Sequence, residues 1–314
     1  MTADLPPLPL AGWRPTKDTL HLYAQIVGKV RLAATPPRNH WWNVPLYVDV
    51  RGLTTRRMRH ADTTFQIDFD LVDHALRVRT ADGREEAFGL RDGVAVADFD
   101  AALHRALAAL GVDVAIREEP FGVPMTTLFP EDREHASWDR DAVERFWRVI
   151  DWTDRVLEEF SGWFRGKTSP VHLFWHSFDL AMGRFSGRPA PVAGADPVSR
   201  EAYSAEVIAF GFWAGDDSVP EPTYYSYTAP EPAGLREQPL AAGQWIDSGT
   251  GCLAVLPYEA VRTARDPREL LLSFLQGAYE AGAGAAGWDQ AALTSSWCPG
   301  PAELERLTQR AGLR

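Results

Sequence analysis

The chain has 314 residues, 45% hydrophobic and 24% charged, a balance that belongs to globular proteins large enough for two domains or two halves of one. Its 43 acidic side chains outnumber 32 basic ones, and the net charge of −11 argues against non-specific binding to nucleic acid or an anionic membrane, both polyanions. No apolar run approaches the roughly 20 residues that span a bilayer. No basic n-region opens the chain, and Cys252 and Cys298 fit no metal spacing, so a reducing, cytoplasmic home is expected.

Residues 1–15 are rich in Pro and Leu and read as an extended arm anchored by Trp13. A helix is expected to begin near Thr16 or Asp18, both good N-cap types. Leu20, Tyr23, Val27, Val30 and Ala34 recur at helical spacing and define its apolar stripe. His21, Gln25 and Lys29 form a parallel polar stripe, either a solvated face or one wall of a polar pocket. The chain has only three lysines, Lys17, Lys29 and Lys167, so each is of interest where arginine is the default cation. Pro36 and Pro37 stop the helix.

Period-two patterns follow. Val44, Leu46, Val48 and Val50 alternate with Tyr47, Asp49 and Arg51, which places the valines and leucine inward. Phe65, Ile67, Phe69 and Leu71 alternate with Gln66, Asp68 and Asp70. Leu76 and Val78 alternate with Arg77 and Arg79, and Asp82-Gly83 marks a hairpin turn. Asp68 and Asp70 are read as sheet-surface ion-pair partners rather than a catalytic pair. A helix from Asp98 carries Phe99, Leu103 and Leu107 to Gly111, and a short strand is expected over 112–116. The connector 117–138 holds prolines and clustered charge, and the halves are expected to be 1–135 and 136–314.

The second half opens on a long helix from about Asp139 to Phe164, with Phe146, Ile150, Thr153, Leu157, Phe160 and Phe164 on one stripe. The stretch Ser169–Arg188, SPVHLFWHSFDLAMGRFSGR, has the densest mixture of aromatic, imidazole and carboxylate groups. It is expected to be one central strand, with His172, Phe174, His176 and Phe178 on one face and Leu173, Trp175, Ser177 and Asp179 on the other. A short helix near 197–204, strands at EVIAFGFW, TYYSYT and CLAVLPY, and a helix capped by Asp266 complete the pattern. The fold class is therefore α+β: two related halves, each an antiparallel sheet backed by helices, with a possible internal duplication.

HLYAQIVGKVRLA, PPRNHWWNVPLYVDVRGLTT, TFQIDFDLVDHALRVRTADG, SPVHLFWHSFDLAMGRFSG and GADPVSREAYSAEVIAFGFWAG together resemble a bacterial family catalogued as domain of unknown function 5996, from about Leu5 to Asp289. The resemblance implies soluble proteins without an assigned activity, and it carries no catalytic residues to transfer.

The chemical candidates come from the residues themselves. On one strand His172 and His176 stand about 13 Å apart, too far to share a metal ion. No metal and no organic cofactor is therefore expected. Gly282, Gly284 and Gly287 spell G-x-G-x-x-G, but at a helix end, where the dipole is wrong for phosphate. The leading expectation is a small-molecule binding protein with an aromatic- and His-lined pocket between the halves. Its candidate lining is His40, Trp41, Trp42, Lys167, Trp175, Asp179, Arg184 and Tyr225. An alternative is a cofactor-independent hydrolase or isomerase, with His172 as general acid or base, Glu206 as its orienting partner, and Lys167 or Arg184 as anion contact. A third is a protein-interaction module using exposed aromatics.

Overall fold

The computed structural model describes residues 5–190, 194–217, 219–249 and 251–300, with 303, 304, 306 and 309. Its contacts divide the chain into two units: Leu8–Asp151 with His172–Asp179, and Met1–Pro7 with Trp152–Val171 and Leu180–Arg314. The division falls inside the long helix rather than in the 117–138 connector. The segment 172–179 goes with the N-terminal unit.

In the N-terminal unit, helix α1 (Arg14–Ala34) starts earlier than expected, with Trp13 in the N-cap place and Pro15 in the first turn. Proline is suited there because its missing N–H has no helical partner to lose. Thr16 does not cap; its Oγ1 accepts from the Asp139 amide (2.9 Å) and bonds Ser137 Oγ (3.0 Å). The stripe Leu20, Tyr23, Val27, Val30 is fully buried, and Thr35 turns extended ahead of Pro36.

Strands β1 (Tyr47–Asp49), β2 (Gly52–Thr54), β3 (Met58–His60), β4 (Thr63–Asp70), β5 (Ala75–Thr80) and β6 (Glu85–Gly89) make an antiparallel sheet of order β1-β2-β4-β5-β6, with β3 also on β4. Phe65, Ile67 and Phe69 of β4 are buried, worth about 1.5–3 kcal/mol each. On the other face Asp70 takes Arg51 Nε at 2.8 Å and Arg77 Nε at 3.3 Å, and Asp68 takes Arg79. These are the expected sheet-surface ion pairs. The expectation for 44–51 needs correction. The strand is only three residues long, Tyr47 points inward and is buried, and Val50 is exposed at the hairpin turn between β1 and β2. The tight turn reverses the chain before the alternation can continue.

Helix α2 (Val96–Ala109) follows, with Asp98 in its first turn and Gly111 at φ 75° just beyond its end. No strand forms over 112–116; Val112 and Val114 are buried without a ladder. Helix α3 (Arg140–Gly162) buries Phe146, Ile150, Thr153, Leu157 and Phe160 along its stripe. Strand β7 (His172–Phe174) belongs to the N-terminal unit, where Leu173 exchanges both backbone hydrogen bonds with Leu46, at 2.8 and 2.9 Å.

In the C-terminal unit, strands β8 (Asp179–Pro189), β9 (Ala205–Trp213), β10 (Thr223–Ala229), β11 (Gln244–Asp247) and β12 (Cys252–Pro257) pair antiparallel in the order β11-β12-β10-β9-β8. Asp196 caps helix α4 (Pro197–Ala202), α5 (Tyr258–Arg262) follows β12, and Asp266 caps α6 (Pro267–Ala285) by accepting from the Glu269 amide. Helix α7 (Gln290–Leu293) follows α6. Strand β11 has no clear period in the sequence and was not expected. The fold is α+β with two antiparallel sheets, as the patterns imply. Both units run helix, sheet, helix, but their strand orders differ. Among the described residues no helix is long and apolar enough to cross a membrane.

Candidate functional site

The site is built where the end of α1, the loop after it, β1 and β7 come together in the N-terminal unit. The Ser169–Arg188 stretch is not one strand. A turn over 175–178 separates β7 from β8; the Phe178 amide donates to the Phe174 carbonyl at 2.8 Å, and Phe178 sits at φ 58°. His176 and Phe178 therefore do not continue the face that His172 and Phe174 begin. Local strand propensity is overridden by the docking of this turn on α1. Trp175 packs against Gly28, where a Cβ would come within 2.1 Å of the indole, and its Nε1 donates to the Val44 carbonyl at 3.0 Å.

The polar stripe of α1 is buried beneath backbone, neither solvated nor open. His21 Nε2 bonds the His176 carbonyl at 3.2 Å, and its ring stacks on Phe178 at 5.1 Å. Burial, then nearby Lys17, drives its pKa down to about 3. Gln25 clamps Phe121 through both backbone groups, its Oε1 accepting at 2.8 Å and its Nε2 donating at 2.9 Å. Lys29 Nζ donates to the carbonyls of Glu119 at 2.5 Å and Arg117 at 3.1 Å. Burial lowers its pKa, against the pull of Glu119. His21 fastens the turn, Gln25 and Lys29 fasten the connector, and together they leave no polar wall.

One turn beyond Gly28, Arg31 opens a different arrangement. Its guanidinium donates to the Thr55 carbonyl and lies 5.4 Å from the Tyr47 ring, while its Nε has no partner. Arg56 lies over the same ring at 3.5 Å. His172 meets it edge-on at 6.1 Å, is 1% exposed, and leaves Nδ1 without a partner. Burial first, then Arg56 and Arg31, lowers the His172 pKa to about 3, so the imidazole is neutral at ordinary pH. Burial also lowers the Arg31 pKa; Tyr47 opposes this, and Arg38 and Arg56 add to it.

Three residues leading into this cluster have left-handed backbones: His40 at φ 54°, Trp41 at φ 59° and Arg56 at φ 55°. Non-glycine residues held there cost of order 1–3 kcal/mol each, and such strain gathers at functional sites. His40 is buried against Trp42, with ring centroids 5.3 Å apart, and the Tyr47 hydroxyl points to the Trp42 carbonyl at 3.5 Å.

The candidates divide between the units. His40, Trp41, Trp42, His172, Trp175 and Asp179 belong to the N-terminal unit, and Lys167, Arg184, Glu206 and Tyr225 to the other. Asp179 accepts from Ser177 Oγ. The proposed partner of His172 is engaged elsewhere: Glu206 Oε2 accepts from Arg188 at 2.6 and 2.8 Å and from Ser186 at 2.9 Å. Arg184 is buried, and its Nε has no partner. Its guanidinium is caged by Phe160 at 3.5 Å, Tyr279 at 4.7 Å and Phe164 at 5.2 Å, and donates to the Phe160 carbonyl. Burial brings its pKa down to about 9. Lys167 lies 4.9 Å over Phe185, and Tyr225 stacks on Tyr227 at 6.2 Å. Among the described residues no three His, Cys, Asp or Glu side chains gather as a metal site. Sequence reasoning missed Arg31, Tyr47 and Arg56. The only available signal was the TTRRMRH cluster, which resembles any basic loop.

The family described as Family of unknown function (DUF5996) matches residues 5–295, and the chain belongs to it, as the resemblance from Leu5 to Asp289 implied. No curated protein and no solved structure matches the chain.

Proposed function

We propose that this member of the family of unknown function is a small-molecule binding protein. Its ligand docks against Tyr47 and His172, beside the His40–Trp42 turn. The observation that carries the reading is a pair of buried nitrogens, Arg31 Nε and His172 Nδ1, that lack partners and border one ring. A buried polar group left alone costs about 1–3 kcal/mol. Two beside a single tyrosine favour a site completed from outside. Half-buried Trp42 supplies flat surface for the rest of a ligand.

The enzyme reading needed His172 as base and Glu206 to orient it. With its pKa near 3, His172 is a poor base at neutral pH, and Glu206 serves Arg188 and Ser186. The interaction-module reading needed exposed aromatics, yet of twelve tryptophans only Trp297 is exposed.

Thermal denaturation of the full chain across a metabolite panel tests the proposal. At least one compound should raise the melting temperature of the wild type and leave a folded Tyr47→Leu variant unmoved. A panel without a hit, or hits that stabilise both proteins equally, would argue against it.

A further inference from the structure

We infer that the group recognised at this site is an anion, a carboxylate or a phosphate, held by Arg31, Arg56 and the imidazole of His172. The inference rests on the binding reading above and gives its ligand a chemical class.

Charge is the first argument. This chain has an acidic surplus, and several of its arginines are matched: Arg51 and Arg77 with Asp70, Arg79 with Asp68, Arg188 with Glu206, Arg268 with Glu159. Arg31, Arg38 and Arg56 differ in being gathered together. Each acts electrostatically within this cluster, and among the described residues none of the three has an ion pair. Gathering three cations without a carboxylate, in a protein with acid to spare, leaves a positive potential that an anion would neutralise.

Geometry is the second. Arg31, Arg56 and His172 approach the same ring, at 5.4, 3.5 and 6.1 Å. Arg31 spends one arm on the Thr55 carbonyl and keeps Nε unused. Arg56 lies over Tyr47, which leaves its rim of N–H groups for an acceptor. Guanidinium edges match carboxylate and phosphate oxygens in paired hydrogen bonds. A neutral imidazole adds one N–H donor without adding charge, and Nδ1 of His172 has the vacancy for it. A water molecule could bond these nitrogens but would leave the cations uncompensated. Arg56 and Arg38 are exposed and Arg31 and His172 are buried, so the cationic group runs from solvent to the interior.

Calorimetric titration of the full chain with benzoate, inorganic phosphate and neutral benzyl alcohol, at low salt, is the test. Benzoate or phosphate should bind saturably, with affinity falling as salt is raised. Binding should weaken about tenfold or more in Arg56→Gln and in Arg31→Met, each checked for wild-type folding by far-ultraviolet circular dichroism. Which of the two probes binds identifies the anion as carboxylate or phosphate. Benzyl alcohol binding as tightly as benzoate would overturn the inference while leaving the binding site standing. Failure of both anions at millimolar concentration, or binding untouched by Arg56→Gln, would overturn it as well. A hit among the uncharged members of the metabolite panel would then show separately that the ligand-binding reading survives.

Discussion

Trp175 lies where Gly28 has no side chain. A Cβ at that helix position would stand 2.1 Å from indole Cδ1 and 2.3 Å from Cγ. The contact explains why a segment with strong strand character breaks into a turn, since the indole seats on α1 and donates to the Val44 carbonyl.

Gly28→Ala should therefore destabilise the protein by about 1–3 kcal/mol from overpacking, even though alanine gains roughly 1 kcal/mol of helix propensity. Urea denaturation followed by tryptophan fluorescence measures the sum. A neutral or stabilising result would mean that the turn yields easily and that Trp175 is not seated as described.

His172→Leu separates binding from stability. The buried Nδ1 has no partner, so an apolar side chain of similar size removes a penalty of about 1 kcal/mol or more. The expected outcome is an unchanged or higher melting temperature without ligand, together with weaker anion binding. A large fall in melting temperature would indicate a structural partner for the imidazole.

The same variant carries a pH signature. His172 and His21 have folded pKa values near 3 against an ordinary value of 6.5. The unfolded chain takes up these protons first as pH falls, so stability is complete above about 6.5 and is lost progressively towards about 3. Each histidine contributes a slope of about 1.4 kcal/mol per pH unit in that window. Between pH 6 and 5 the slope of unfolding free energy should be shallower in His172→Leu by about that amount. The carboxylates titrate alike in both proteins and cancel. Parallel slopes would mean that His172 is protonated in the folded state.

Gln25 and Lys29 hold the connector by its backbone, so their loss should free a loop without unfolding the core. Gln25→Ala leaves the Phe121 amide and carbonyl without these partners, and Lys29→Met releases the carbonyls of residues 117 and 119. Hydrogen exchange over 117–123 should quicken, and trypsin should cut faster after Arg117, while far-ultraviolet circular dichroism stays the same. Exchange as slow as in the wild type would show that packing, not these bonds, secures the segment.

Short-range pattern decided a good part of this protein. The 3,4 spacing of Leu20, Tyr23, Val27 and Val30 marks α1, and the alternation Phe65, Ile67, Phe69 marks β4 with Asp68 and Asp70 on its paired outer face. Periodicity is a property of neighbours in the chain, so it reads reliably wherever one face is apolar and the other wet. It fails where both faces are covered. The stripe His21, Gln25, Lys29 has the composition of a solvated surface, yet loop and turn backbone close over it.

Tertiary structure alone brought Arg31, Arg56 and His172 around the Tyr47 ring. Leu46 pairs with Leu173 across more than a hundred residues of chain and sets His172 beside Tyr47. No local spacing encodes such a meeting. It follows from which strand edges find each other once the cores form, and that choice depends on the packing of the unit as a whole.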